Sequence, residues 1–250
     1  MKALITGASS GIGRDMAHYL SNLGYDLILV ATNKDRLEAV KEKCKTNVEV
    51  ITCDLRKEKE IHDLYEKTKK ANIDILINNA GFGLFGEFYE TDLNRELEMI
   101  DVNIKAVHIL TKLFLNDFIK RDSGYILNVA SSAGFMAGPK LSTYYATKNY
   151  VLKLTEAIYE ELKKNKSHVN ISALCPGPVN TNFNDIAGGS FSVKGLSSEY
   201  VAKYGIDKMF KGKLIIIPGF NMKLAIFGTR FLSIKTLLKI TYKIQDEKTR

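Results

Sequence analysis

The chain has 250 residues, of which 45% are hydrophobic and 26% are charged. This composition excludes wholesale disorder, and the length suits one large α/β domain with a substantial core. The 36 Lys and Arg exceed the 28 Asp and Glu by a net charge of +8, which favours anionic partners such as phosphates, acidic membranes and nucleic acids. The sequence contains no zinc-finger, basic-zipper or aromatic-rich RNA motif, so we do not expect a nucleic-acid partner.

The N-terminus runs directly into an apolar strand and shows no signal peptide. The long uncharged stretches Ser123–Pro139 and Ser167–Asn184 contain Asn, Ser, Gly and Pro, which lipid-spanning helices disfavour. The 3 cysteines are widely spaced and form no CxxC pair, which is typical of free thiols in a reducing compartment and not of a disulfide framework or a zinc site. We therefore expect a cytoplasmic protein without a metal.

Short apolar runs alternate with longer segments of helical period, and this alternation predicts repeated βαβ units. We expect a doubly wound parallel sheet of about seven strands with helices on both faces, in three α/β/α layers. The predicted strands are Lys2–Thr6, Asp26–Ala31, Val48–Thr52, Asp74–Ile77, Gly124–Val129, Val169–Leu174 and Lys213–Ile217. The predicted helices are Gly11–Leu23, Lys34–Cys44, Lys57–Lys70, Leu93–Lys120 and Ser142–Lys164. These elements use the whole length, so we expect a single domain over residues 1–250.

A glycine-rich turn separates the first strand from the first helix. Because glycine lets the backbone approach a phosphate closely, and because first-turn amides and the helix dipole attract anions, this turn predicts a dinucleotide site. The predicted contacts are Gly7, Ser9, Ser10, Gly11, Ile12 and Gly13. The alternative is a tight turn that only packs the helix on the sheet. The glycine spacing, three residues and then one, resembles that of the short-chain dehydrogenase/reductase family, which has a Rossmann-type fold.

The end of the second strand decides between NADP and NAD. An acidic residue there would bind the ribose 2′-hydroxyl and repel a 2′-phosphate. The chain has Thr32, Asn33 and Lys34 instead, followed by Arg36, and these polar and basic groups favour NADP(H), with NAD(H) as the alternative. Asn33 equally suits the cap of the next helix.

The next two strand ends also match the family. The resemblance implies that Asp54, followed by Leu55, lies near the adenine ring, although Asp54 also suits a helix cap. The family's NNAG motif is matched by residues that include Asn79, Ala80 and Gly81. Asn79 either contacts the cofactor directly or has a purely structural role.

Tyr144 and Lys148 lie four residues apart and therefore share one helix face. To exchange a proton near neutral pH, the tyrosine pKa must fall from about 10 by roughly 3 units, or about 4 kcal/mol. We expect the ammonium, helped by an oxidised nicotinamide, to lower it. Tyr145 cannot replace Tyr144, because the position matching the lysine is Asn149. By itself, this spacing usually marks a solvated helix face.

The resemblance adds two catalytic residues to this pair. It implies that Ser131, three places after Asn128, polarises the substrate oxygen. We expect the Ser132 hydroxyl to form hydrogen bonds with the backbone of the loop. The resemblance also implies that Asn103 holds a water that links Lys148 to solvent, which completes a tetrad. From the residues alone, Asn103 is an ordinary amide in a helix.

A stiff Pro- and Gly-containing turn follows the sixth strand. It resembles the family segment that grips the nicotinamide amide, and this implies contacts from Pro176, Gly177, Val179 and Thr181. Tyr144 and Lys148 are expected to contact the cofactor as well. The alternative is a rigid loop without a ligand.

Together the motifs predict an NADP(H)-dependent oxidoreductase that interconverts a carbonyl and an alcohol. A mobile loop at Asn182–Gly195, within a substrate segment near residues 182–212, would cover the site. Aromatic side chains in Gly83–Tyr89 and Phe135–Leu141 predict an apolar substrate. Family members often form dimers or tetramers through the long helices, so we expect a homo-oligomer.

The basic C-terminal extension, residues 220–250, has two interpretations. Phe227, Phe231, Ile234 and Leu238 recur at helical spacing, while Lys235, Lys239 and Lys243 line another face. The helix either covers the substrate pocket or a subunit interface, or it lies on a membrane surface. Two further hypotheses for the whole chain are a non-catalytic, cofactor-sensing regulator and a membrane-surface adaptor on the same fold.

Overall fold

The computed structural model describes residues 1–181, 183, 187–188 and 195–246. Within these residues, seven parallel strands form one sheet: β1 (Lys2–Thr6), β2 (Asp26–Ala31), β3 (Val48–Thr52), β4 (Ile75–Asn78), β5 (Tyr125–Val129), β6 (Asn170–Leu174) and β9 (Ile215–Ile216). Their order across the sheet is β3-β2-β1-β4-β5-β6-β9. Two short strands, β7 (Val179–Asn180) and β8 (Leu196–Ser197), pair separately.

Helices cover both faces of the sheet. They are α1 (Gly11–Asn22), α2 (Lys34–Lys41), α3 (Glu58–Thr68), α4 (Leu93–Ile100), α5 (Val107–Lys120), α6 (Ser142–Lys164), α7 (Ser198–Met209), α8 (Phe220–Thr229) and α9 (Ile234–Asp246). Successive residues of β1 point to opposite cores, since Ile5 packs in one cluster with Leu20 of α1 whereas Leu4 packs in another with Phe114 of α5. The predicted three-layer, doubly wound fold is confirmed.

One predicted helix is interrupted. The segment Leu93–Lys120 contains a π-helical turn, Asp101–Ala106, between α4 and α5. A wider turn of this kind re-aims the side chains that follow it, and such turns are frequent at functional sites. Apolar periodicity does not reveal a π turn, because the apolar face continues on both sides of it.

The segment near residues 182–212, predicted as a loop, contains the helix α7. Ser197 caps α7 by accepting a hydrogen bond from the Tyr200 amide, and Val201 and Ile206 are buried in the core. The predicted mobile loop Asn182–Gly195 falls largely outside the described residues.

The C-terminal extension forms two helices where the spacing of Phe227 to Leu238 suggested one. α8 ends at Thr229 and α9 begins at Ile234, so Phe227 and Leu238 belong to different helices. Of the helices described, none is both long and apolar enough to cross a bilayer.

Candidate active site

A cleft of about 560 Å³ opens at the carboxyl ends of the central strands. It lies at the point where the order of the strands reverses, between β1 and β4, which is where open α/β sheets bind ligands. The sequence-predicted residues that line it are Gly7, Ser9, Ser10, Gly11, Ile12, Thr32, Asp54, Leu55, Asn79, Ala80, Gly81, Ser131, Tyr144, Lys148, Pro176, Gly177, Val179 and Thr181. Most of the predicted residues are therefore brought together around one crevice, whereas Gly13, Asn33, Lys34 and Asn103 do not line it.

Two glycines of the turn, Gly7 and Gly13, have no room for a side chain. Gly7 has a φ of +62°, and a Cβ there would lie 2.8 Å from the Ala80 Cα. A Cβ on Gly13 would lie 2.4 Å from the Gly7 carbonyl oxygen. Gly13 does not line the cleft; it lets α1 pack against the turn.

The N-terminus of α1 is suited to an anion. The Ser10 side chain forms no capping hydrogen bond, and the first turn contains no acidic residue. Because Ser10, Gly11 and Ile12 line the cleft, the first-turn amides and the helix dipole favour a phosphate there. The residues present thus fit a dinucleotide.

Asn79 braces the glycine turn. Its Nδ2 donates to the carbonyl oxygens of Thr6, at 3.0 Å, and Gly7, at 3.1 Å. The Thr6 hydroxyl accepts from the backbone amides of Asn79 and Ala80. These contacts give the Asn79 side chain a structural role in joining β1 to β4.

At the far end of the cleft, Asp54 pairs with Arg56, whose Nη2 lies 2.8 Å from Oδ2. Hydrogen bonds from Arg56 hold the pKa of the Asp54 carboxyl below its usual value. Arg56 lines the cleft but was not among the predicted contacts. Asn33 and Lys34 were predicted as contacts, but they are exposed and do not line it: Asn33 instead caps α2 by accepting from the Arg36 amide at 2.9 Å.

Tyr144 lies beside Ser131. Burial raises the pKa of the Tyr144 phenol to about 12, and a hydrogen bond with Ser131 partly opposes this. The sequence predicts that the Lys148 ammonium lowers the pKa of Tyr144. In the protein alone, burial determines the direction of the shift, and the pKa of Tyr144 is raised. Ser131 is fixed at the start of a short 3₁₀ turn, where its hydroxyl accepts from the Ala133 amide at 3.1 Å.

Lys148 is 5% exposed, and its Nζ lies 5.8 Å from the centre of the Tyr144 ring. The ammonium donates to the Val129 carbonyl oxygen at 2.9 Å. Burial lowers the pKa of Lys148 to about 8. The two side chains therefore face the same cavity.

Asn103 is fully buried in the π turn and does not line the cleft. Its Nδ2 donates to the Phe82 carbonyl oxygen and to the Thr147 hydroxyl, while its Oδ1 accepts from the Phe82 amide. A Cβ on Gly81 would come within 2.9 Å of the Asn103 Oδ1 and 3.3 Å of the Lys148 Nζ. The Asn103 amide and the Lys148 ammonium thus both lie close to Gly81.

The turn after β6 closes the cleft from the opposite side. The Pro176 carbonyl oxygen accepts from the Ser132 amide at 2.8 Å, which ties this turn to the one that carries Ser131. A Cβ on Gly11 would lie 3.1 Å from the Thr181 methyl group. The serine turn, the glycine turn and the proline turn therefore meet at one place.

The lining of the substrate end agrees only in part with the prediction, since Leu141 and Phe183 come from predicted segments and the other lining residues do not. Its walls include Phe82, Leu141, Tyr145, Phe183 and Gln245. The side chains of Phe88 and Tyr89, which the sequence placed in the pocket, are 64% and 82% exposed. Gln245 was missed because it lies a hundred positions from Tyr145, to whose hydroxyl it donates a hydrogen bond at 2.7 Å.

Comparison with known proteins gives consistent matches. A family model described as short chain dehydrogenase matches residues 1–187. An uncharacterized oxidoreductase of Staphylococcus saprophyticus is 36% identical over 185 residues, which cover 72% of this chain and 78% of the relative. A short-chain dehydrogenase from Sphingobium yanoikuyae, solved in complex with NADPH, has a TM-score of 0.83 and 28% identity over 92% of this chain and 93% of its own. A bulky-bulky ketone specific alcohol dehydrogenase from Comamonas testosteroni has a TM-score of 0.78 and 27% identity over 92% of both chains.

Proposed function

The chain belongs to the short-chain dehydrogenase/reductase family of oxidoreductases that act on CH–OH groups, and from this premise we propose that it reduces a bulky, apolar carbonyl compound with NADPH. The family assignment leaves no reason to favour a non-catalytic regulator or adaptor. The observation that carries the proposal is that Ser131, Tyr144 and Lys148 converge on the crevice that the glycine turn also lines.

Each of these side chains has a task for which its surroundings suit it. A nicotinamide held by the proline turn would supply the hydride for the substrate carbon, and its oxidised form would supply a positive charge. Tyr144 gives its proton to the carbonyl oxygen as negative charge develops there, and Ser131 donates a hydrogen bond to the same oxygen. Lys148, with a pKa of about 8, exchanges protons readily near neutral pH. Asn103 holds the backbone of Phe82 in place by hydrogen bonds.

The Tyr144 phenol is protonated at neutral pH, which is the form that donates a proton during reduction. A phenol with a pKa of about 12 is a weak acid, so efficient proton transfer needs a lower pKa. The positive charge of an oxidised nicotinamide would lower it.

The cofactor proposal rests on the phosphate cradle and on the far end of the cleft. Gly7, Ser9, Ser10 and Gly11 would hold the pyrophosphate. Thr32, after β2, and Arg56, after β3, both line the cleft and supply a hydroxyl and a cation, which suit the 2′-phosphate of NADP(H) better than NAD(H). To bind that phosphate, Arg56 would turn away from its present partners Asp54 and Glu98. The NADPH complex of the Sphingobium relative supports the same choice.

The substrate proposal rests on the pocket walls. Phe82, Leu141 and Phe183 present apolar surface next to Tyr144, whose ring centre lies 5.3 Å from that of Phe183. The Comamonas relative, which is specific for bulky ketones, supports a large apolar carbonyl compound.

We also propose that the enzyme is one domain, works in the cytoplasm and forms a homodimer or homotetramer. Cys44, Cys53 and Cys175 carry free thiols, as in a reducing compartment. Leu97 and Ile119, on α4 and α5, expose about half of their surface and suit an interface between helices of two subunits.

The test is NADPH oxidation across a panel of carbonyl compounds, comparing the wild type with Tyr144→Phe. We expect the variant to lose at least about 100-fold in kcat while its melting temperature still rises with NADPH. Tyr150→Phe, on the same helix but exposed, is the matched control and should keep full activity. Equal rates for Tyr144→Phe and the wild type would refute the proton-donor role.

A further inference from the structure

The C-terminal helices concentrate positive charge. From Phe220 to Gln245 the sequence contains five cations, Lys223, Arg230, Lys235, Lys239 and Lys243, and no Asp or Glu. Residues 123–155 also lack Asp and Glu, but they contain only three cations, Lys140, Lys148 and Lys153, so the C-terminal stretch stands out by its density of positive charge. Any molecule that it attracts over distance is an anion.

The same helices leave large apolar side chains in solvent. Phe227, Phe231 and Ile234 are 55%, 75% and 78% exposed, and the two phenyl rings contact each other at 5.3 Å between their centres. Phe220, Leu224, Leu232, Ile240 and Ile244 are also exposed by more than 40%. We call this surface, formed by α8, residues 230–233 and α9, the C-terminal surface.

α9 divides into an inner and an outer side. Thr241 and Gln245 are 5% and 1% exposed and fix the end of the helix against the body of the protein. Lys235, Lys239 and Lys243 recur every four residues on another face and are exposed. The helix thus holds its position through its buried side while the lysines and the apolar residues next to them remain uncovered.

We propose that the C-terminal surface binds the interface of an anionic lipid bilayer. Helices that lie in such an interface combine bulky apolar residues with Lys and Arg: the first enter the acyl boundary, and the second bind lipid phosphates. A second copy of the chain fits less well, because a two-fold contact would bring the same five cations opposite one another.

The inner side of α9 borders the substrate end of the cleft. Gln245 lines the cleft, and the neighbouring Asp246 pairs with Lys140 at 2.6 Å, next to the start of the helix that carries Tyr144. Docking on a membrane would therefore bring the cleft close to the lipid, where apolar carbonyl compounds accumulate. The binding itself does not depend on the proposed reaction.

The test is co-sedimentation of the full chain with vesicles of phosphatidylcholine, with and without phosphatidylserine. We expect binding to the anionic vesicles that weakens as salt rises. The apolar variant is Phe227→Ala, Phe231→Ala, Ile234→Ala, and its matched control is Phe88→Ala, Tyr89→Ala, Leu93→Ala, which removes equally exposed side chains. The charge variant is Lys235→Gln, Lys239→Gln, Lys243→Gln, and its control is Lys163→Gln, Lys164→Gln, Lys166→Gln, which removes three exposed lysines at the end of α6, before β6.

Both test variants should lose binding while both controls keep it; loss of three lysines weakens partitioning by roughly 100-fold. Equal sedimentation with and without lipid would overturn the proposal, as would control variants that lose binding as strongly as the test variants. The alternative is that a second copy of the chain covers the surface, and gel filtration tests it. In that case the wild type would form an oligomer and would not bind vesicles, and only the apolar variant would dissociate.

Discussion

At the scale of single residues, Lys148 couples the chemistry of the site to the stability of the protein. Its ammonium is buried, and the Val129 carbonyl oxygen is its hydrogen-bond acceptor. Burial lowers its pKa from 10.5 to about 8, which means that the folded protein holds this charge at a cost. Since one pKa unit corresponds to about 1.4 kcal/mol, the cost at neutral pH is roughly 3 kcal/mol.

This cost predicts a pH-dependent effect of Lys148→Met. Below pH 8 both the folded and the unfolded chain are protonated, so the wild type bears the full cost and the variant should be more stable by up to about 3 kcal/mol. Between pH 8 and 10.5 the unfolded chain binds more protons, so the wild type gains stability as pH rises and the difference shrinks. Urea unfolding at pH 7 and pH 9.5 measures it, and a difference that does not change with pH would contradict the argument.

At the scale of elements, the π turn between α4 and α5 holds Asn103 next to Gly81, which also borders Lys148. The Asn103 side-chain amide forms hydrogen bonds with both the backbone N–H and the backbone C=O of Phe82, a residue of the cleft wall. The π turn therefore places a side chain where it stabilises the segment after β4, which contains Ala80 and Gly81.

Asn103→Ala should lower the free energy of unfolding by about 2 kcal/mol, because it leaves two backbone groups of Phe82 without their partner. It should also lower kcat, since the backbone next to Lys148 loses its fixed position. Asn116→Ala, on the exposed face of α5, is the control and should change neither quantity. Chemical unfolding and steady-state kinetics test this, and equal behaviour of the two variants would exclude a positioning role for Asn103.

Sequence patterns predicted the strands to within a few residues, because buried parallel strands are short apolar runs that stand between turn residues. They did not predict α7, although Ser197 as a cap and buried Val201 and Ile206 are its signals, because a Gly- and Ser-rich stretch precedes it. The crevice residues followed from motifs that are local in sequence. Gln245 and Arg56 have no such motif: contact with Tyr145 depends on how α9 packs, and the place of Arg56 depends on its pairing with Asp54.

At the scale of the whole molecule, the central sheet joins residues from Lys2 to Ile216 and separates two cores. Neither core is confined to one half of the chain, since α1 packs with α7 and β1 contributes side chains to both. This arrangement favours cooperative unfolding.

We therefore expect a single urea transition, with the same midpoint by circular dichroism and by tyrosine fluorescence. NADPH at about 100 times its dissociation constant should add roughly 2.7 kcal/mol to the free energy of unfolding, and the same concentration of NADH should add less. Two separate transitions would contradict the single-domain proposal, and an equal effect of NADH would contradict the preference for NADPH.

The packing of α1 has a consequence for how the protein is made. Met16 and Leu20 of α1 are covered by Val201, Ile206 and Met209 of α7, which the ribosome adds nearly 200 residues later. At about 5–20 residues per second, the part of the α1 face that α7 covers stays without this partner for roughly 10–40 seconds. We therefore expect the yield of folded protein to depend on the rate of translation as well as on the final fold.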